Sequence, residues 1–153
     1  MSPSALYRTV ARAEAITWTL LIIAMVLKYA VKVGDWPVSI AGFVHGFVFL
    51  TYIATSILVG MNQRWSKRLI LGAAATSVIP YLTVPFDRWL ERRGKLVGSW
   101  RTQASEHPAD QRWTDSTMRW LVARPVLSTI ALFVLIVAVF STMLVMGPPG
   151  GRS

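Results

Sequence analysis

Four ionisable side chains stand where an apolar chain leaves little room for them: Glu14, Lys28, His45 and Asp87. Each lies in or at the end of a segment otherwise built from Ile, Leu, Val, Phe and Ala. Lipid penalises such groups, so an ionisable residue at membrane depth is a functional hypothesis by default. Glu14 could bind a proton or a cation. It could equally be an interfacial carboxylate paired with a neighbouring Arg or Lys, since it lies near a helix start, where negative charge suits the dipole. His45 could relay a proton or ligate haem or a metal, or it could simply hydrogen-bond an adjacent helix. One His within the spans is poor support for a metal, and the absence of Cys removes thiolate sites and disulfides. No Gly-rich phosphate loop, paired catalytic carboxylates or nucleophile elbow is present. The expectation is therefore a non-enzyme with no catalytic residues, no cofactor and no metal site.

The elements that must position these residues are membrane helices. Apolar residues make up 54% of the chain and charged residues 15%, against about 25% charged in an ordinary soluble domain. Four stretches are long enough to cross a hydrocarbon core of about 30 Å: Ala13 to Val33, Val38 to Met61, Leu69 to Phe86 and Val126 to Met146. The fold class is read as all-α, a polytopic membrane protein of four transmembrane helices. It divides into a three-span core over 1–93, a polar, basic interfacial loop over 94–124, a fourth span over 125–147 and a short tail over 148–153. Ser4 is a plausible first N-cap, and Gly34-Asp35-Trp36-Pro37 is a turn signal. Pro80 should kink the third span. Within the loop, Asp115 and Arg119 are spaced for an i,i+4 pair on a short interfacial helix, and His107 falls in a polar linker, where it is expected to be solvated. The basic N-terminus resembles a signal peptide, but Lys28 to Lys32 offers no convincing cleavage site, so the segment reads as a retained span.

On the second span, Gly42 and Gly46 form a GxxxG, which allows close helix approach. At about 100° per residue, Gly42, His45, Phe49, Tyr52, Ser56 and Gly60 share a small, polar face that should pack against protein. Phe43, Phe47 and Leu50 point away, toward lipid or another subunit. Folding the chain as consecutive full spans puts His45 level with Lys28 and with Asp87, near one membrane face. Glu14 then lies near the other, level with Ser56 and with Leu71 to Ala73. Two ionisable clusters, one near each face, are the prediction.

The net charge of +9 does not call for nucleic acid, because the basic residues flank the spans, as positive-inside sorting and anionic headgroups produce. Sidedness depends on the third span. If it crosses, the Lys and Arg divide ten to six, favouring termini outside the cytoplasm; if it is re-entrant, they divide thirteen to three with the N-terminus inside. The expected partners are the bilayer and a membrane-protein partner or further copies of the chain. The leading function is a non-enzymatic accessory or scaffold component; the alternative is an oligomeric transporter or channel for a small solute or proton.

The order Glu14, Leu27-Lys28-Tyr29, Gly42-Phe43-Val44-His45-Gly46 with Phe49 and Tyr52, then Pro80 and Phe86-Asp87 resembles the bacterial membrane-protein family catalogued as domain of unknown function 3817. The resemblance covers residues 5–93. It implies a three-span core in a bacterial plasma membrane, with the last span an addition to that core, and supplies no reaction.

Overall fold

The computed structural model describes residues 1–106 and 108–146; His107 and the tail from 147 onward lie outside the described residues. Among the described residues the chain is all-helical. Helix α1 (Pro3–Val26) starts on Ser2, not Ser4: the Ser2 hydroxyl accepts from the Ala5 amide at 3.1 Å, and Pro3 suits a first turn that needs no donor. The helix continues as a π-helical turn (Leu27–Val31) and stops at Lys32, which takes a left-handed φ of 61°. Gly34 follows at φ 102°, a conformation that glycine adopts readily. Helix α2 (Trp36–Asn62) returns antiparallel beside α1, as the short turn requires.

The stretch expected to form a third span is two short helices. Helix α3 (Lys67–Thr76) is capped by Ser66 and ends where the hydroxyls of Thr76 and Ser77 donate back to the carbonyls of Ala73 and Ala74 at 2.6 and 2.7 Å. Pro80 cannot donate a ladder bond, and Tyr81 sits at φ 65° in the left-handed region. The chain therefore reverses instead of kinking, and helix α4 (Thr83–Arg92) runs back, with Pro85 accommodated in its first turn. Two contacts define this hairpin. At its base the Trp65 indole donates to the Lys95 carbonyl at 2.9 Å. At its tip the Trp18 indole, midway along α1, donates to the Ser77 carbonyl at 3.2 Å. Ten-residue helices are about 15 Å long, half a hydrocarbon core. Among the described residues, three helical segments are long and apolar enough to cross a membrane: Pro3–Val31, Trp36–Asn62 and Pro125–Met143. The third span of the sequence reading is thus corrected to a half-length hairpin.

The interior is unusually polar. Tyr7, Ala11, Tyr52, Val59, Trp65, Ala73 and Leu90 form the apolar cluster, interleaved with buried Glu14, Thr17, His45, Thr55, Ser56, Thr76, Ser77, Thr83 and Asp87. Helix α5 (Trp113–Ala123) follows a folded loop, and helix α6 (Pro125–Met146) leans on α2. The expected Asp115–Arg119 pair is replaced: Asp115 accepts from Arg101 at 2.9 Å, and Arg119 donates to the Asp110 carbonyl at 2.9 Å.

Candidate functional site

Glu14 is fully buried where α1 meets the start of α4. Thr83 Oγ1 lies 2.7 Å from Glu14 Oε2 and 3.3 Å from the Ala11 carbonyl, while Glu14 Oε1 is buried with no hydrogen-bond partner. One turn along α1, the Thr17 hydroxyl donates to the Glu14 carbonyl at 2.9 Å and stands 3.0 Å from His45 Nδ1. A hydroxyl has one proton, so with Thr17 donating to the carbonyl, the His45 contact requires the Nδ1–H tautomer. The Trp18 ring covers His45, with centroids 4.5 Å apart. His45 thus bonds a neighbouring helix, the plainer of the readings its sequence position allowed.

A second hydrogen-bonded string crosses the bundle. The hydroxyls of Tyr7 and Tyr52 are 2.6 Å apart, and Tyr52 is 3.0 Å from Thr76 Oγ1. Because Thr76 donates to the Ala73 carbonyl, the order of donation runs Tyr7 to Tyr52 to Thr76. This string ties α1, α2 and α3 together.

Asp87 lies one turn beyond Thr83 on α4 and is buried, with Arg8 Nε 3.6 Å from Oδ2 and Oδ1 unpartnered. Arg8 also grips the exposed Glu91, a further turn out. Burial pushes the Asp87 carboxyl above the usual carboxylate range; the Arg8 guanidinium acts in the opposite direction. Arg8, Ala11, Arg12, Val84, Asp87, Arg88 and Glu91 line a cavity of about 200 Å³ at this end of the seam.

The predicted clusters do not form. Lys28 pairs with Asp35 at 3.0 Å in the α1–α2 turn, His45 sits against Thr17 and Trp18, and Asp87 sits with Arg8. The cause is the reversal at Ser77–Leu82, which carries Asp87 back to the N-terminal end of α1. Glu14 accordingly meets Thr83. Of the face expected on α2, His45, Tyr52, Ser56 and Gly60 are buried. A Cβ at Gly60 would stand 2.6 Å from Ile70 of α3, and one at Gly46 would stand 2.7 Å from Phe140 of α6. Gly42 has open space, so the GxxxG is not one contact surface. Phe43 and Phe47, expected to face lipid or another subunit, meet Phe140 and Phe133 of α6.

Sequence reasoning missed Tyr7, Arg8, Thr17 and Thr83. The spacing of Tyr7, Ala11, Glu14 and Trp18 along one side of α1 was the available signal. It also missed the organiser of the long loop. The buried Asp110 carboxylate accepts from Arg64, Arg101 and both the amide and hydroxyl of Ser105. Arg101 meanwhile donates to the Met61 and Asn62 carbonyls at 2.7 Å each, closing the C-terminus of α2. The Ser105 hydrogen bonds, with the adjacent guanidinium groups, hold Asp110 well below the usual carboxylate range.

Residues 4–92 match the family described as domain of unknown function (DUF3817), and the chain belongs to it. A candidate membrane protein of Streptomyces coelicolor is 34% identical over 84 residues, which are 54% of this chain and 10% of that protein. The chain thus spans only a tenth of that relative's length. Uncharacterised proteins of Mycobacterium bovis and Mycobacterium tuberculosis are 31% identical over 83 residues, covering 54% of this chain and 68% of each. No solved structure matches. The protein is a membrane protein of a family without an assigned activity, and α5 and α6 lie beyond the family match.

Proposed function

We propose that this chain is a multi-pass protein of the bacterial plasma membrane that acts without catalysing a reaction, as an accessory component joined to other membrane proteins or to its own copies. The observation that supports this reading is that the ionisable groups are already engaged within the bundle. Lys28 holds Asp35, Arg8 holds Asp87, and His45 and Glu14 each meet a threonine of a neighbouring helix. Their polar chemistry joins helices to one another. Along the long helices, the large side chains left to meet another molecule are apolar: Ile16, Leu20 and Ile23 on α1, and Ile130, Val134 and Leu135 on α6, are all exposed.

In this reading α3 and α4 dip to about half depth and return to the side they left. Non-helical backbone at that depth is tolerated when its polar groups are satisfied within the protein: the side chains of 78–82 are exposed, but the amides of Ser77, Val78, Ile79 and Leu82 all donate to carbonyls of the same turn. The thirteen-to-three division of Lys and Arg then assigns the N-terminus, both ends of the hairpin and residues 93–124 to the cytoplasm. Because the chain has no native Cys, single cysteines test this cleanly. Ser66→Cys and Ser99→Cys should react with a membrane-impermeant maleimide from the cytoplasmic side and Asp35→Cys from the opposite side. Labelling of Ser66→Cys and Ser99→Cys from opposite sides would overturn the topology. For the accessory role, isolation in mild detergent should retain a stoichiometric membrane-protein companion or a defined homo-oligomer; a lone monomer counts against it.

A second reading, proton-linked transport by an oligomer, draws on the unpartnered Glu14 Oε1 beside a discontinuous helix. Proton-coupled flux in liposomes that is equal for wild type, Glu14→Gln and His45→Ala would remove it.

A further inference from the structure

We infer that Glu14 is a proton-binding site: its carboxyl group is protonated in the resting protein and exchanges that proton with the aqueous phase along the α1–α4 seam, past Asp87. The inference holds whether or not the chain joins a larger assembly.

Protons can be counted around Glu14. Thr83 has one hydroxyl proton and two acceptors in reach, Glu14 Oε2 and the Ala11 carbonyl. If Glu14 were ionised, Ala11 would keep its helical amide bond, but the carboxylate would have only Thr83 and the Trp18 indole, itself donating to the Ser77 carbonyl, and Oε1 would be a buried charged oxygen without a partner. With a proton on Oε2, the arrangement closes: Glu14 donates to Thr83, and Thr83 donates to Ala11. Only the neutral carbonyl Oε1 is then left over, and an unpaired neutral acceptor costs far less than an unpaired buried charge.

Glu14 also has no counter-charge among the described residues. The titratable groups that neighbouring helices turn toward the seam are Tyr7 of α1, His45 and Tyr52 of α2 and Asp87 of α4. Among the described residues no Lys or Arg pairs with Glu14: Arg8 is engaged by Asp87 and Glu91, and Lys28 by Asp35. Arg12 and Arg88 line the cavity beyond Asp87.

The route follows from helix spacing. Thr83, Asp87 and Glu91 succeed one another at one turn of α4, about 6 Å apart along the axis, from the buried end to the exposed end. Asp87 Oδ1 is a second buried acceptor with no partner. Ala11, whose carbonyl takes the Thr83 bond, also lines the cavity of about 200 Å³ that contains Asp87 and Glu91. On release, the Oε2–H bond breaks with its electron pair staying on Glu14, and the proton leaves by way of the cavity; uptake reverses this.

The test is infrared spectroscopy of the purified full chain in lipid at neutral pH. A protonated-carboxyl C=O band is expected, sensitive to deuterium oxide. The chain has only three glutamates, Glu14, Glu91 and Glu106, so carbon-13 labelling of glutamate carboxyls should shift the band without any substitution. Glu14→Gln, which can still donate to Thr83, should remove it, with helicity by circular dichroism confirming the fold. Asp87→Asn should keep the band but slow its exchange several-fold. No band, or one that ignores glutamate labelling, overturns the site. Unchanged exchange in Asp87→Asn overturns the route.

Discussion

Between α1 and the α3–α4 hairpin, helices meet through hydroxyls, carboxyls and an indole; between α2 and α6 they meet through phenyl rings. The first contact carries the Glu14–Thr83, Trp18–Ser77 and Tyr7–Tyr52–Thr76 bonds. The second carries Phe43 on Phe140 and Phe47 on Phe133, with centroids 4.9 and 5.7 Å apart. In lipid, moving an apolar side chain from acyl tails to a helix interface gains little, because both surroundings are equally apolar. Directed bonds and close backbone approach therefore decide which helices stay together. The region inside the family match has such bonds and hence one geometry; α6, outside it, meets α2 through ring packing and is tied by a side-chain hydrogen bond to α5, where Ser128 donates to the Leu121 carbonyl.

That contrast can be strained at its strongest point first. Gly60→Leu drives a side chain into Ile70 and Trp65 and should destabilise hairpin docking by about 1–3 kcal/mol, the usual range for overpacking. Loss of helicity in a denaturing-detergent titration would measure it. Next, Tyr52→Phe removes the middle hydroxyl of the Tyr7–Tyr52–Thr76 string. The loss should be about 0.6 kcal/mol and at most about 1.7, as for other hydrogen bonds within membranes; the same titration resolves it.

A smaller, local effect is expected at Asp110. Its folded-state affinity for a proton is below that of the unfolded chain, so its contribution is complete above the ordinary carboxylate range. It is lost only as pH falls through the depressed folded value. Asp110→Asn should loosen residues 99–106 at neutral pH and abolish their acid sensitivity, as read by amide hydrogen exchange. Protection that is identical in both proteins would show that Arg101 and Ser105 hold the loop by themselves. The smallest effect belongs to α6. Ending the chain at Arg124 should leave the detergent unfolding midpoint of the core nearly unchanged, and Gly42→Leu, which enters open space, should do the same. A large shift from the truncation would mean that ring packing contributes as much as the polar bonds.

The four-residue spacing on α2 made His45, Tyr52, Ser56 and Gly60 legible as a buried face before any coordinates. Their partners were not legible. Glu14 and Thr83 are 69 positions apart, and Arg8 and Glu91 are 83 apart. Pairing over such distances depends on which way the intervening chain turns. The turn is not legible in the sequence because Leu69 to Phe86 has the same hydropathy whether it crosses or doubles back. Pro80 by itself predicts only a kink. The two back-bonding hydroxyls and the left-handed Tyr81 together make a reversal of it.

By itself the sequence determined that this is a helical membrane protein. Length and apolarity of α1, α2 and α6 are sums over neighbouring residues, and a hydrocarbon core of about 30 Å reads those sums directly. It also determined which face of α2 would turn inward, since helical periodicity is local. Only the tertiary structure decided that Glu14 shares a seam with Thr83 and Asp87, that Lys28 is drawn off to Asp35, and that the third apolar stretch returns on itself. Those outcomes rest on single hydrogen bonds between distant residues, formed only after the chain has reversed, and no local sum contains them.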